Sequence, residues 1–436
     1  MGSNGVVFKK NYSTCPICIP ARRSLLTGLS PFEHGLSEYK EGVEFEPGFT
    51  VPELLGKVGY QTTLVGKLHM YPQRKRFGFE HMILSDTPNY RKDYVYQTQN
   101  DYVLWLQKQG IKHDINASTL SSNGREARPF LLEENYHHSS WVMETALDQL
   151  ENNRDPNCPW FMHMSFVAPH PPLNPPNHFW RLHENIDMQP AIGSWVDFGD
   201  NRPEYPELDS YSGPFTEADM RVARTGYYGL ISHIDSLLAS FFNRLFSSGS
   251  RFSKEPTWVL FTSDHGEMLG DHHLWRKGLA YEGSTHIPLI IYGKKVSYKR
   301  GVCETVSCLE DVATTILDMA GVEDRPKTYG KSLLKCMQDT AFSTRQALLG
   351  ELHSPYYYYF LIKGDFKYIY YFRKGEEQLF DLRNDPAETN DISASSETLL
   401  EMRQELLSQL KSRGQSTEGF SFAPLNNRMP LEVSRR

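Results

Sequence analysis

The chain has 436 residues, 39% hydrophobic and 23% charged, with a net charge of −7 at pH 7. That length supports one large core with a smaller companion, and the acidic balance argues against a nucleic-acid partner. No run is long and apolar enough to span a membrane, and the first ten residues, MGSNGVVFKK, contain no signal-peptide core.

In chain order, a helix is predicted over 51–58, with Pro52 in its first turn, followed by a strand at QTTLVGK (61–67). A second helix over 141–152 leads to a strand at WFMHMSF (160–166). A long helix over 217–246 precedes WVLFTSD (258–264) and IPLIIYG (287–293), and a helix over 309–320 ends at Gly321. The four strand candidates are short, apolar and bounded by polar residues, as buried parallel strands are. Their alternation with helices predicts an α/β fold, a mostly parallel sheet sandwiched by helices. Beyond about 343 the texture changes. ALLGEL, YYYYFLIKG, FKYIYYF and EQLFDL follow closely with turns between them, which reads as an antiparallel meander. A helix over 395–411 and a polar tail from Gly414 complete a smaller α+β unit, so the chain divides into 1–343 and 344–436.

Chemistry in open α/β sheets sits beyond the carboxyl ends of the strands. Lys67 closes one predicted strand, His170 follows another, and Asp264 and His265 close a third, so three chemically loaded ends converge. The remaining stretch of interest is STCPICIPARRSLLTG, residues 13–28. A redox or zinc reading of its C-x-x-C is poor, because no second pair or histidine couple accompanies it. The six cysteines form no disulfide framework; Cys303 and Cys308 are near enough in sequence to pair across a short loop, and equally compatible with two free thiols.

From Cys18 the string runs Cys18-Ile19-Pro20-Ala21-Arg22, then Thr27-Gly28. It resembles the C-x-P-x-R…T-G signature of the type I, formylglycine-dependent sulfatases, in the alkaline-phosphatase-like superfamily. GYQTTLVGKLH resembles that family's G-K-W-H segment, with Leu68 in place of Trp, and SFVAPHPPLNPP its P-H-x-P segment. TSDHGEMLGDHHLWRKG resembles its D-[NH]-G…G-x-H…K run, and LFDLRNDPAETNDIS its C-terminal L-Y-D-L-x-x-D-P-x-E. Five motifs in family order cover nearly the whole chain.

The resemblance implies roles. Cys18 becomes formylglycine, whose hydrate supplies an oxygen nucleophile, while its second hydroxyl later expels sulfate by re-forming the aldehyde. Arg22 steadies it, Lys67 and Lys277 hold sulfate, and His69 serves the hydrate as acid and base. His170 protonates the leaving group and His272 lines the pocket. Asp264, His265 and Cys18 bind calcium or another divalent cation, which acidifies the nucleophile and holds sulfate oxygens. The implied partners are a sulfated small molecule or glycan and a formylglycine-generating maturation enzyme, in periplasm, lysosome or outside the cell. Taken singly, each residue has a plainer reading: surface lysines, a loop histidine among prolines, a strand-ending Asp264-His265-Gly266 turn, a solvent-facing His272.

One departure stands out. The family opens on an apolar strand ending in two aspartates that ligate the metal, but none of the seventeen residues before Cys18 is Asp or Glu. The expectation is a chain that starts late, with a gap in the sheet, a depleted metal site and weak or no activity as written. Two competing functions follow. One is a phosphonate monoester or phosphodiester hydrolase of the same superfamily, disfavoured by the pair Lys67 and His69; the other is a non-catalytic sulfatase-like binding protein. The loops 70–91 and 173–213, with Arg74, Arg76, His178, Trp180, Arg181 and Trp195, suit an anionic sugar.

Overall fold

In VVFKKNY the alternation sends Val6 and Phe8 inward and Lys9 outward, the pattern of a half-buried strand. The computed structural model describes residues 1–87, 100–111, 120–193, 210–213, 216–394 and 396–424. Strand β1 (Val6–Tyr12) is followed by α1 (Cys18–Thr27), α2 (Val51–Lys57), β2 (Gln61–Gly66), β3 (His81–Leu84) and α3 (Asp101–Lys108). Next come α4 (His138–Asn152), β4 (Trp160–Ser165), α5 (Asn177–Arg181), α6 (Glu217–Phe246), β5 (Thr257–Thr262) and α7 (Glu282–Thr285). Then β6 (Leu289–Lys294), β7 (Gly301–Cys308), α8 (Leu309–Met319) and α9 (Leu334–Gln338) complete the larger part.

The strands form two sheets. Order β3-β2-β4 is parallel throughout. In order β5-β6-β1-β7, β1 and β7 run parallel, whereas β6 runs antiparallel to both β1 and β5. The expected parallel direction of 287–293 is therefore reversed. A parallel neighbour requires a crossover that returns the chain to the other end of the sheet. Between β5 and β6 the chain forms turns, a 3-10 turn at Asp271–His273 and the four-residue α7, with no helix long enough to carry it back along the sheet.

The end strands β4 and β5 have no further strand partner among the described residues, and their side chains are mostly half-exposed. Their carboxyl ends are linked through Arg22, which donates to Ser165 Oγ at 3.2 Å and to Asp264 Oδ2 at 2.7 Å.

Helix α6 begins at a capping box of Thr216 and Asp219. Its Leu237, Phe241 and Leu245 pack with Trp141, Val142, Leu147 and Leu150 of α4 over Val65 of β2. Each such burial contributes about 1.5–3 kcal/mol. On the other sheet, Val312 and Cys336 close over Val6, Phe8, Leu289 and Ile291. All six thiols are free. Cys303 and Cys308 lie at opposite ends of β7, about 16 Å apart at about 3.3 Å per residue, too far for the disulfide their spacing allowed.

The C-terminal part is the expected meander: β8 (Ala347–Leu352), β9 (Tyr358–Lys363), β10 (Phe366–Tyr371) and β11 (Glu376–Asp381), all antiparallel, with β12 (Ala423–Pro424) beside β11. Helix α10 (Thr398–Ser412) covers one face through Leu399, Met402, Leu406 and Leu410. Residue 395, the expected helix start, lies outside the described residues. The other face shares one hydrophobic core with the larger part: Leu348, Leu352, Tyr358 and Phe360 pack with Tyr12, Ile17, Leu279 and Tyr281. Within this seam Lys367 is fully buried and paired with Glu282 and Glu388 at 3.0 and 2.9 Å.

Candidate active site

Ahead of α1 the chain is pinned by its backbone on three sides. Ser13 N–H donates to the Thr285 carbonyl, Glu351 N–H to the Thr14 carbonyl and Gly278 N–H to the Pro16 carbonyl, at 2.7–2.9 Å. Cys18 then opens the helix, where amide dipoles favour an anion. Pro20 is tolerated because it falls in the first turn, whose N–H groups have no intrahelical acceptor. Gly28 ends the helix at φ 77°.

The Cys18 side chain is 2% exposed. Its Sγ lies 3.1 Å from His265 Nε2 and 3.9 Å from Lys67 Nζ. Burial opposes a thiolate, but Lys67, His265 and Lys277, with a hydrogen bond from His170, hold the thiol well below its usual range. Cys15 is the opposite case: burial pushes it up, and Glu351 and Glu310 add to the effect. The two cysteines of one C-x-x-C thus occupy opposite electrostatic environments, and only Cys18 faces cations.

Strand β2 delivers Lys67, whose N–H continues the ladder to the Ser165 carbonyl at 3.0 Å. Gly66, at φ 100°, could not be another residue: a Cβ there would lie 2.0 Å from the Ser165 carbonyl oxygen. Arg22 joins the strand ends, donating from Nη1 to the Lys67 carbonyl and to Ser165 Oγ while Nε pairs with Asp264. Burial opposes the Asp264 charge, yet Arg22 holds the carboxyl well below its usual range.

His265 donates from Nδ1 to the Gly266 carbonyl at 2.8 Å, which turns Nε2 toward Cys18 and Asp264. Burial disfavours its charge, but Asp264 and Cys18 together raise its pKa. His170 is fixed the same way, Nδ1 to the Pro171 carbonyl at 2.9 Å, and its Nε2 meets Lys277 Nζ at 2.6 Å. Burial, then Lys277, lower His170 to about 3, so its imidazole is neutral. Burial also lowers Lys277.

Of the sequence-predicted residues, Cys18, Arg22, Lys67, His170, Asp264, His265 and Lys277 thus meet. His69 stands two residues past Lys67, its ring 6.1 Å from Tyr39 and its Nδ1 buried without a protein partner. Its backbone is held at φ 60° by Asp86, whose Oδ1 accepts from the Leu68 and His69 N–H groups. Sequence reasoning missed Asp86, and missed Ser165, because an acceptor for backbone amides leaves no spacing signature.

His272 is held by contacts of its own. It is 2% exposed rather than solvent-facing, its ring lies 5.4 Å from that of Tyr281, and Nε2 donates to the Ala387 carbonyl at 3.0 Å, contacts that tie it to the C-terminal part. Arg74 pairs with Asp101, and Arg76 donates to the Glu80 carbonyl. His178 and Arg181 are exposed and Trp180 half-buried on α5. Trp195 and parts of both predicted loops lie outside the described residues.

Cys18, Asp264 and His265 each offer one ligand atom, all within 4.8 Å of one another. Arg22 occupies Asp264 Oδ2, leaving Oδ1 toward the cluster. The three donors therefore fit one face of a divalent ion, although calcium's six to eight oxygens require further donors.

The sulfatase family model matches residues 1–322, and the model described as N-sulphoglucosamine sulphohydrolase, C-terminal, matches residues 270–416. An arylsulfatase of Clostridium perfringens is 34% identical over 412 residues, covering 91% of this chain and 84% of that one. A choline-sulfatase of Rhizobium meliloti is 28% identical over 408 residues, covering 88% and 75%. A structure solved with its substrate D-glucosamine-2-N,6-O-disulfate superposes with a TM-score of 0.71 at 22% identity, covering 95% and 92% of the two chains. The phosphonate monoester hydrolase of Agrobacterium radiobacter gives 0.76 at 21% identity, covering 94% and 90%; at such identities the shared feature is the fold. With a family match over most of its length and an arylsulfatase at 34% identity, this chain belongs to the sulfatase family of the alkaline-phosphatase-like superfamily and is a sulfuric-ester hydrolase.

Proposed function

We propose that the protein hydrolyses the sulfate monoester of a sulfated sugar, with formylglycine made from Cys18 as nucleophile and calcium as the divalent ion. Family membership implies a divalent metal and formylglycine. The observation that carries the assignment to this chain is the convergence of Lys67, Lys277, His170 and His265 on one buried sulfur. The Cys18 Sγ stands where the oxygens of the hydrated aldehyde would be, and cations on that atom suit an anionic oxygen beside a sulfate. The match of residues 270–416 to the C-terminal region of an N-sulphoglucosamine sulphohydrolase family supports a sugar substrate. We also divide the chain at 343/344, the start of the antiparallel part.

The aldehyde hydrate supplies the attacking oxygen. Asp264, His265 and the Cys18-derived group would hold the cation, which when bound acidifies that oxygen and holds sulfate oxygens. Lys67 and Lys277 neutralise the ester's charge, and Arg22 fixes Asp264. His69, with a buried and unpartnered Nδ1, moves the proton of the hydrate. His170 delivers a proton to the leaving oxygen. It is neutral beside Lys277, and an incoming sulfate opposes that lysine's charge and so raises the imidazole toward protonation. Lys67, close to Cys18, supports sulfate over phosphonate esters.

The test is to co-express the chain with a formylglycine-generating enzyme, read the tryptic peptide 11–22 by mass spectrometry, and assay release of sulfate from sulfated sugars. An aldehyde at Cys18 is expected, with sulfate release kept weak by the three-donor metal site. An unmodified thiol, or an aldehyde that hydrolyses phosphonate monoesters and not sulfates, overturns the reading.

A further inference from the structure

Lys277 stands on neither a strand nor a helix. It follows a loop held in the left-handed region at Leu269 (φ 50°), His272 (56°), His273 (59°) and Arg276 (69°), none of them glycine. Such backbone persists only where its surroundings over-determine it, and functional sites are where it collects.

The fastenings can be named. At the neck, Met268 N–H donates to the Arg276 carbonyl at 2.9 Å. Across the same neck, Glu267 Oε1 accepts from the Arg276 N–H and, at 3.4 Å, from the Leu269 N–H. On the flank, Arg224 of α6 donates to the Leu269 carbonyl at 3.1 Å and to Asp271 Oδ1 at 3.0 Å. Past the neck, Gly278 N–H donates to the Pro16 carbonyl, registering the chain on the segment that carries Cys18. Between these two anchors lies one residue, Lys277, with Nζ 2.6 Å from His170 Nε2.

We propose that Glu267 is a positioning residue for catalysis: by accepting two amide protons at the neck of the 268–276 loop, it sets Lys277 against His170 and the sulfate ester. The proposal rests on the sulfatase reading of Lys277. The positioning is assigned to the acceptor oxygen at Glu267, because both of its hydrogen-bond donors are backbone amides; its charge also faces Lys277 and His265, and the glutamine variant separates the two contributions. Glutamine keeps that oxygen; leucine keeps the volume and loses it.

The experiment is a double-mutant cycle on the matured, metal-loaded protein, with 4-nitrophenyl sulfate as the probe and thermal midpoints measured alongside. Glu267→Leu is expected to lower kcat/KM at least about tenfold, mostly through kcat, and Glu267→Gln to stay within about threefold of wild type. In a Lys277→Ala background, Glu267→Leu is expected to cost less than about twofold further, because its effect passes through the lysine already removed. Should Glu267→Leu not fold, Glu267→Ala takes its place in the cycle. A full additive loss in the Lys277→Ala background, or a Glu267→Gln as impaired as Glu267→Leu, overturns the proposal. A wild type that turns over no sulfate ester overturns the sulfatase reading itself, and this inference with it.

Discussion

Replacing Lys367 by methionine tests what holds the C-terminal sheet to the catalytic part. The ammonium is fully buried and makes three contacts of 2.9–3.0 Å, to Glu282 Oε1, Glu388 Oε1 and Thr285 Oγ1. Without it Glu388 loses its ammonium partner and Glu282 keeps only the half-exposed His286 at 3.2 Å, a defect of about 3–5 kcal/mol. At about 2.1 cal/mol/K per residue of unfolding entropy, a loss of about 4 kcal/mol lowers Tm by about 4–5 °C. The loss should also depend on pH. In the wild type, burial opposes the Glu282 charge but Lys367 outweighs it and holds the carboxyl at about 2; Glu388, raised first by burial, stands at about 7 against an ordinary 4.5. Removing the lysine raises both, so the folded mutant binds protons that the unfolded chain does not above pH 4.5. A folded state that binds more protons loses stability as pH rises. Lys367→Met should therefore lie furthest below wild type at pH 8 and recover toward pH 5. Urea unfolding followed by tryptophan fluorescence at the two pH values measures this. An equal deficit at both, or one under about 1 kcal/mol, refutes the argument.

Arg22→Ala should destabilise by about 3–5 kcal/mol and abolish turnover, because Asp264 is left buried without its partner. Arg22→Lys should rescue little, since a single ammonium cannot reproduce donations from Nε and Nη1; denaturation midpoints with kcat/KM decide. Gly66→Ala should cost more than about 2 kcal/mol or yield insoluble protein, a Cβ there meeting the Ser165 carbonyl oxygen at 2.0 Å. Chelation should remove sulfate-ester turnover and added calcium restore it; activity that survives exhaustive chelation, checked by elemental analysis, refutes the assignment of Asp264 and His265 as ligands.

Much of this could be read from residue order. Helix α6 matches its predicted 217–246 span, because its 30 residues begin at a Thr-Asp capping pair. The strand ends that carry Lys67 and Asp264 were legible from short apolar runs. The direction of β6 was not, since an apolar run reads the same along either axis and the preceding connection, though long, forms no crossover helix. His272 matched its motif by position, but at φ 56° its backbone turns the ring toward Tyr281. The burial of Lys67 and Lys277 was invisible too, as lysine is ordinarily exposed and only three-dimensional convergence accounts for its exclusion from water. Glu267 and Asp86 escaped for a related reason: they serve backbone amides whose positions the loops themselves create.

The register of β1 has a kinetic consequence. Its partners among the described strands are β6 and β7, which begin at Leu289 and Gly301. At about 5–20 residues per second, a ribosome needs roughly 15–55 s to make the intervening chain of about 280 residues. Throughout that time the first strand has nothing to pair with, and Cys18, sealed in the finished fold, lies in open peptide. Any agent that reaches Cys18 before the fold is complete therefore works within a window that translation opens and the arrival of β6 closes.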